Sequence, residues 1–556
     1  MSNLLQKASI VTTPTAYGVG VLNSIKPAQS FSEELIINGD FSNGGANWSY
    51  NINHWSFNNG TADCNGTQSG LSYLNQSGAI VSGKVYKATY EVTSITAGEI
   101  IVFVGDVSGL ARTTVGVYTE YITATSTNFW LRASSTFVGS IDNVSVKEVT
   151  DADFDFTRTS SATRVNPDYL IETSATNTPR LDYTNGTASI LLEPQSTNLI
   201  QYSEDLSDSY WSKTRASITD NSLISPDGNY NADKFTQITS TAWGGIVLTV
   251  SPSGTSTLSV FAKKIDNDYI AIIGHNSNDT KVYFNLNNGT IGTVGSDVTS
   301  SDIQDYGNGW YRCILTASVV NRFTVLHATA DNGNTADLNT ETSLWGAQLE
   351  EGSYATSYIP TDGSTVTRAA ETLNNAGNSD LINSTEGVLY AEISALANSG
   401  TGRKITLNNG SNSNVLVLEY TSTANQIRVF LSNGSLQFNE YVTLSNLLEF
   451  NKIAIKYKAN DFAIWINGVE VATDLSGTTF TSGTLTSLNF DDGSGFADFY
   501  GKCKMVAVFK EALSDTELAC LTSTNNREIF LNYYYRMQYV EANTEALSCA
   551  EQTFNI

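Results

Sequence analysis

Phe462-Ala463-Ile464-Trp465-Ile466-Asn467-Gly468-Val469-Glu470-Val471 is the stretch on which the fold turns. Apolar residues alternate on both sides of an Asn-Gly pair, and Asn-Gly supplies the positive-φ positions that a tight hairpin turn needs. The same alternation recurs around it in Leu389-Tyr390-Ala391-Glu392-Ile393, Val415-Leu416-Val417-Leu418-Glu419-Tyr420, Ile427-Arg428-Val429-Phe430-Leu431 and Ile453-Ala454-Ile455-Lys456-Tyr457. Each reads as a strand. Downstream, Met505-Val506-Ala507-Val508-Phe509 runs into Ala512-Leu513-Ser514-Asp515-Thr516-Glu517-Leu518. Ser514 and Glu517 have capping-box spacing, which predicts a short helix starting there.

Composition extends the all-β reading to the whole chain of 556 residues. Only 15% of them are charged, against about 25% in ordinary globular proteins. Asn, Ser, Thr and Gly take the polar positions instead, and these residues favour turns and exposed strand faces over helix interiors. The length calls for roughly three to four domains. A formal net charge of −25 repels phosphate backbones and anionic lipid surfaces, so neither nucleic acid nor membrane is an expected partner. No run approaches the roughly 18 apolar residues of a membrane span. The opening Met1-Ser2-Asn3-Leu4-Leu5-Gln6-Lys7 lacks a signal peptide's apolar stretch, so synthesis in a cytoplasm is expected. Cys64, Cys313, Cys503, Cys520 and Cys549 are scattered, with no metal-ligand spacing, and buried free thiols are expected. His54, His275 and His327 are isolated.

Residues 1–34 carry Pro14, Tyr17 and Pro27 among small residues and read as an extended arm that docks on another subunit. Residues 35–149 hold short alternating strands between Gly/Asn turns. They open with Leu35-Ile36-Ile37-Asn38-Gly39-Asp40-Phe41 and close with Ile141-Asp142-Asn143-Val144-Ser145-Val146. These two ends resemble the first and last strands of jelly-roll carbohydrate-binding modules. A connector spans 150–190 and contains Arg158-Thr159-Ser160-Ser161-Ala162-Thr163-Arg164 and Pro179-Arg180-Leu181-Asp182-Tyr183. A second β module, 191–362, enters through Leu192-Glu193-Pro194-Gln195-Ser196-Thr197-Asn198-Leu199 and leaves through Trp345-Gly346-Ala347-Gln348-Leu349-Glu350. The motifs that begin at Arg158, Leu192 and Trp345, in this order, resemble a module of bacteriophage structural and tail-fibre proteins. A linker covers 363–380. The module at 381–524, with its Trp-Ile-Asn-Gly hairpin and following helix, resembles the laminin-G/concanavalin-like sandwich, and 525–556 form a C-terminal extension that reads as packing against a neighbouring chain.

The resemblances imply tandem jelly-roll sandwiches, a terminal concanavalin-like sandwich and the N-terminal arm. They further imply a bacteriophage virion fibre or appendage, of head or tail. Its arm would meet capsid, portal or tail proteins, its modules would meet host-surface glycan, and such proteins are usually homotrimers. The expected location is the virion surface after synthesis in the host cytoplasm. Two alternatives stand beside this: a tailspike-type polysaccharide depolymerase, hydrolase or lyase, and a bacterial surface adhesin.

Catalytic constellations are missing from the sequence. Glycoside hydrolysis needs two carboxylates flanking one bond, whereas Glu392, Glu419 and Glu470 each stand alone within apolar alternation. No Gly-x-Ser-x-Gly elbow, zinc-binding helix or phosphate loop is found. A non-enzymatic protein is expected. For sugar stacking the candidates are Trp48, Trp55, Tyr73 and Trp130 in the first module and Trp211, Tyr230 and Trp243 in the second. Each is weighed against a core role, because Trp is bulky and mostly buried; Trp345 and Trp465 read as core. By resemblance, calcium would sit at Asp40 and Asp142. In the third module Asp491-Asp492-Gly493 offers oxygen ligands in a turn, or is a plain turn.

Overall fold

The computed structural model describes residues 4–523, apart from positions 16, 28, 29, 79, 83, 185, 241, 242, 278, 334, 335 and 399–401. The C-terminal extension lies outside the described residues. The protein is all-β, built from sandwiches of antiparallel strands, and its longest described helix is Asp515–Thr522. Two compact units divide it: Lys26–Asp151 forms one, and Met1–Ile25 with Ala152–Ile556 forms the other.

The smaller unit packs a five-stranded sheet against a six-stranded one. Alternation along each strand decides what faces inward. In Asn128–Ala133, for example, Phe129, Leu131 and Ala133 are buried while Asn128, Trp130 and Arg132 point away from the core. Tyr86, Tyr90, Trp55 and Phe137 fill the space between the sheets.

The larger unit holds the other two sandwiches. Two six-stranded sheets enclose Phe235, Ile246, Val260, Leu315 and Trp211. The last sandwich packs a five-stranded sheet on an eight-stranded one. Its hairpin forms as read: Phe462–Ile466 pairs with Val469–Asp474 across Asn467 and Gly468, at φ of 50° and 92°. Both values lie where a β-carbon is disfavoured, and Asn-Gly is the pair that tolerates them. The predicted helix also forms, with the Glu517 carboxylate accepting from the Ser514 N–H (3.0 Å) and Oγ (2.8 Å).

Residues 4–25 do not form the extended arm, docked on another subunit, expected of them. Ala8–Thr12 pairs antiparallel with Gly501–Phe509, burying Ile10 and Val11, and shares that strand's edge with Ser189–Leu192. Lys7 meets Glu517 at 2.7 Å. Tyr17–Gly18 turns back on Val21–Leu22, which pairs with Phe154–Thr157. Apolar content decides the outcome: Ala8, Ile10 and Val11 are a buried strand's residues, and pairing removes an open sheet edge. Pro14 and Tyr17 thus belong to a folded segment, and Pro27 falls in the other unit.

The connector and linker are folded too. Phe154–Thr157 pairs with Thr372–Asn374, Ala162–Val165 with Ile171–Ser174, and Ser196–Asn198 with Val366–Arg368. Their charged residues meet in one seam that excludes water. Arg158, Arg180, Arg368, Glu193 and Glu371 are all at most 3% exposed. Entry and exit motifs close on the same seam. The Asn198 amide donates to Ala347 O (3.2 Å) and Ile359 O (2.9 Å), and Glu350 accepts from Ser196 Oγ at 2.6 Å. Gly346, at φ 63°, leaves no room for a side chain, since a β-carbon would stand 2.9 Å from the Phe261 ring. Cys64, Cys313 and Cys503 are buried free thiols, whereas Cys520 is disulfide-bonded.

Candidate functional site

The outward face of the five-stranded sheet in the smaller unit carries a group of neighbouring aromatic residues. Register places them: Phe103 lies opposite Trp130, Trp130 opposite Asn75, and Arg132 opposite Tyr73. The Tyr73 and Trp130 rings sit 6.0 Å apart, edge to face, and Trp130 and Phe103 are 5.7 Å apart. Arg132 lays its guanidinium over Phe103, 4.7 Å from the ring centroid. Tyr73 is 40% exposed, and Trp130, Phe103 and Arg132 are half-buried. The result is a row of aromatic surface bordered by a cation and by the Asn75 and Asn128 amides. Such a surface suits a sugar, whose C–H face stacks on rings while its hydroxyls meet amides and guanidinium.

Of the aromatic candidates from sequence, Tyr73 and Trp130 are brought together here. Three others are corrected to core positions: Trp48, Trp55 and Trp211 are 7%, 1% and 1% exposed. Their indole N–H groups are spent inside, on Asn38 O, Ser72 Oγ and Tyr202 O. A flat indole that fills the space between two sheets cannot also stack on a ligand. Tyr230 is exposed, and Trp243 is half-buried with Arg215 over its ring at 5.6 Å. No ring contact joins these two among the described residues. Trp345 and Trp465 are buried, as read. Phe103 and Arg132 escaped the sequence reading, because only the strand register reveals them as neighbours of Trp130.

The acidic candidates divide differently. Asp40 Oδ1 accepts from the Ser42 N–H (3.2 Å) and Oγ (3.0 Å), which holds its carboxyl below the usual range. Asp142 lies above that range through partial burial and through the charges of Glu91 and Asp40. In the third module Asp491 accepts from the Gly493 N–H, and Asp492 from Ser494 and the Phe496 N–H. Those oxygens brace the loop from within.

Sequence reading missed the tightest acidic group. The carboxylate oxygens of Asp205, Asp220 and Asp233 lie within 4.8 Å of one another in the second module. Asp233 is buried and accepts from the Leu206 N–H (2.8 Å) and Asn221 N–H (3.0 Å). Burial, reinforced by Asp220, pushes its pKa up to about 7. The three groups are placed to share a proton or to hold a hard cation. The Glu204-Asp205 entry after Tyr202 was the available signal, but its partners lie on strands that only the fold brings near.

No protein-family description matches the sequence, and no curated protein matches it either. Solved structures do. The CBM40 of the Ruminococcus gnavus IT-sialidase, bound to alpha2,3 sialyllactose, is 17% identical with a TM-score of 0.23 over 27% of this chain and 93% of its own. The tandem CBM22-1–CBM22-2 of Paenibacillus barcinonensis Xyn10C is 9% identical with a TM-score of 0.19, covering 59% of this chain and all but 1% of its own (99%). Domains LG4-5 of the mouse laminin alpha1 chain are 8% identical with a TM-score of 0.19, covering 48% and 88%.

Proposed function

We propose that this chain is a non-catalytic glycan-binding appendage of a bacteriophage particle, facing the host surface. The observation that carries glycan binding is the outward aromatic row of Phe103, Trp130 and Tyr73 with Arg132 at its edge. The particle assignment rests on the ordered motifs around Arg158, Glu193 and Trp345. Their resemblance to phage structural modules gains physical sense from the buried seam in which Arg158, Glu193, Asn198 and Glu350 lie. A seam that locks connector, second module and linker together gives a stiff projection, which suits an appendage. Homotrimeric assembly belongs to the same reading.

Binding is tested with the full chain on an array of bacterial surface glycans. A hit lost in the Tyr73→Ala/Trp130→Ala double variant, with its melting temperature unchanged, supports the site; absence of any wild-type hit overturns it. The particle assignment is tested separately by mass spectrometry of purified virions. Stoichiometric presence of the chain supports it, and absence sinks it.

A further inference from the structure

Two cavities in the larger unit meet at one side chain. The smaller, about 280 Å3, opens beside the tip of the Ala162–Val165/Ile171–Ser174 hairpin, with Tyr169, Leu170, Ile224, Pro226 and Trp310 on its walls. The larger, about 430 Å3, lies where connector, second module and third module come together, and Asp302, Asp305 and Glu449 line it. Tyr306 lines both. Its ring is fixed edge-on against Phe261, with centroids 4.9 Å apart. The two cavities therefore lie side by side with Tyr306 as the wall they share, and the pair makes a two-part groove.

Three features distinguish this groove from an incidental crevice. Tyr169 is 48% exposed yet sits at φ 62°, a conformation that Gly or Asn adopts without strain and an aromatic residue does not. The turn that imposes it is well bonded, since Asn166 Oδ1 accepts from the N–H groups of Asp168 and Leu170. The chain thus holds a large ring at the groove's mouth where a small residue would cost less. Second, Lys263 lines the smaller cavity, and its ammonium forms no hydrogen bond or ion pair among the described residues. Third, the wall chemistry changes along the groove, from apolar and aromatic at Tyr169 to hydroxyl-accepting carboxylates beyond Tyr306.

We infer that this groove binds a neutral oligosaccharide, one ring against the wall of Tyr169 and Tyr306 and the next hydrogen-bonded by Asp305 and Glu449. Stacking needs the apolar wall, and hydroxyls need the acceptors and the Lys263 donor. Asp302, Asp305 and Glu449 act against sugars bearing carboxylates, while Arg164, Arg312 and Lys502 on the same wall are engaged by Glu172, by Ser259 and Thr356, and by Asp182. The site is distinct from the aromatic face of the smaller unit and does not depend on it.

The test uses the full chain carrying Tyr73→Ala and Trp130→Ala, so that the other face is silent. Maltotriose, cellotriose and 3′-sialyllactose are titrated by calorimetry. At least one neutral trisaccharide should bind, and adding Tyr169→Ala or Glu449→Gln should weaken it by about tenfold without moving the melting temperature. No binding of either neutral sugar, binding indifferent to both substitutions, or equal binding of sialyllactose would each overturn the inference.

Discussion

Arg180 and Glu371 form an ion pair with no access to solvent, the guanidinium Nε donating to Oε1 at 2.8 Å. Glu371 also accepts from Arg158 Nη1 at 2.7 Å and from the Glu193 N–H at 3.0 Å. Losing its charge would leave Arg158 buried without its ion-pair partner and Arg180 sharing Glu193 with Arg368. Breaking a buried pair by removing one partner costs about 3–5 kcal/mol. Glu371→Gln should therefore destabilise the larger unit by that amount in denaturant unfolding. A loss below about 1 kcal/mol would show that the seam tolerates the charge, as exposed pairs do.

Glu193 gives the seam a pH signature. Burial alone would raise its pKa, but Arg368 and Arg180 outweigh burial and hold it at about 2. An unfolded glutamate titrates near 4.3. The folded value is the lower one, so this contribution is present above pH of about 4.3 and is lost as pH falls towards 2. Thermal melts across that window should show wild type losing stability faster than Glu193→Gln, with the variant less stable at neutral pH. Parallel curves would mean that Glu193 does not carry the acid response.

The elements legible in the sequence are those whose cause is local. Asn467-Gly468 and Ser514/Glu517 specify a turn and a cap within a few residues, and both formed as read. Aromatic roles were half legible. Tyr73 and Trp130 point outward while Trp48 and Trp55 fill a core, and composition cannot tell these apart because inward or outward phase is set by strand register. Residues 8–12 were misread because their partner strand begins at Gly501. No local pattern announces a pairing across nearly the whole chain. The motifs at Arg158, Glu193 and Glu350 were visible as patterns, but their mutual contact was not.

The N-terminal strand has a measurable consequence. Ile10 is fully buried in the core of the last sandwich, and Ala8–Thr12 covers part of the edge of Gly501–Phe509. Ile10→Ala should cost about 2–5 kcal/mol, as large-to-small core changes do. Deleting residues 1–12 should do more, exposing an apolar strand edge that pairs with other chains. Lower melting temperature and concentration-dependent aggregation are the expected readouts. A truncated chain as stable and monodisperse as wild type would restore the reading of this segment as an extended arm for another subunit.

Asp233 should make the second module sensitive to pH in the opposite direction. Its folded pKa of about 7 lies above the ordinary aspartate value of about 3.9. Its contribution is therefore complete below pH of about 3.9 and is lost as pH rises through 7, when Asp233 takes on a charge beside Asp205 and Asp220, its oxygen within 4.8 Å of theirs. A hard cation would reverse this loss, because it binds the ionised carboxylates and competes with the proton. Melting temperature should fall between pH 5 and pH 8 in the presence of chelator, and calcium should restore it at pH 8 while doing little at pH 5. Asp233→Asn should flatten both responses. If the pH slope survives in that variant, the titrating group lies elsewhere; if calcium has no effect at pH 8 on wild type, the cluster holds a proton and nothing more.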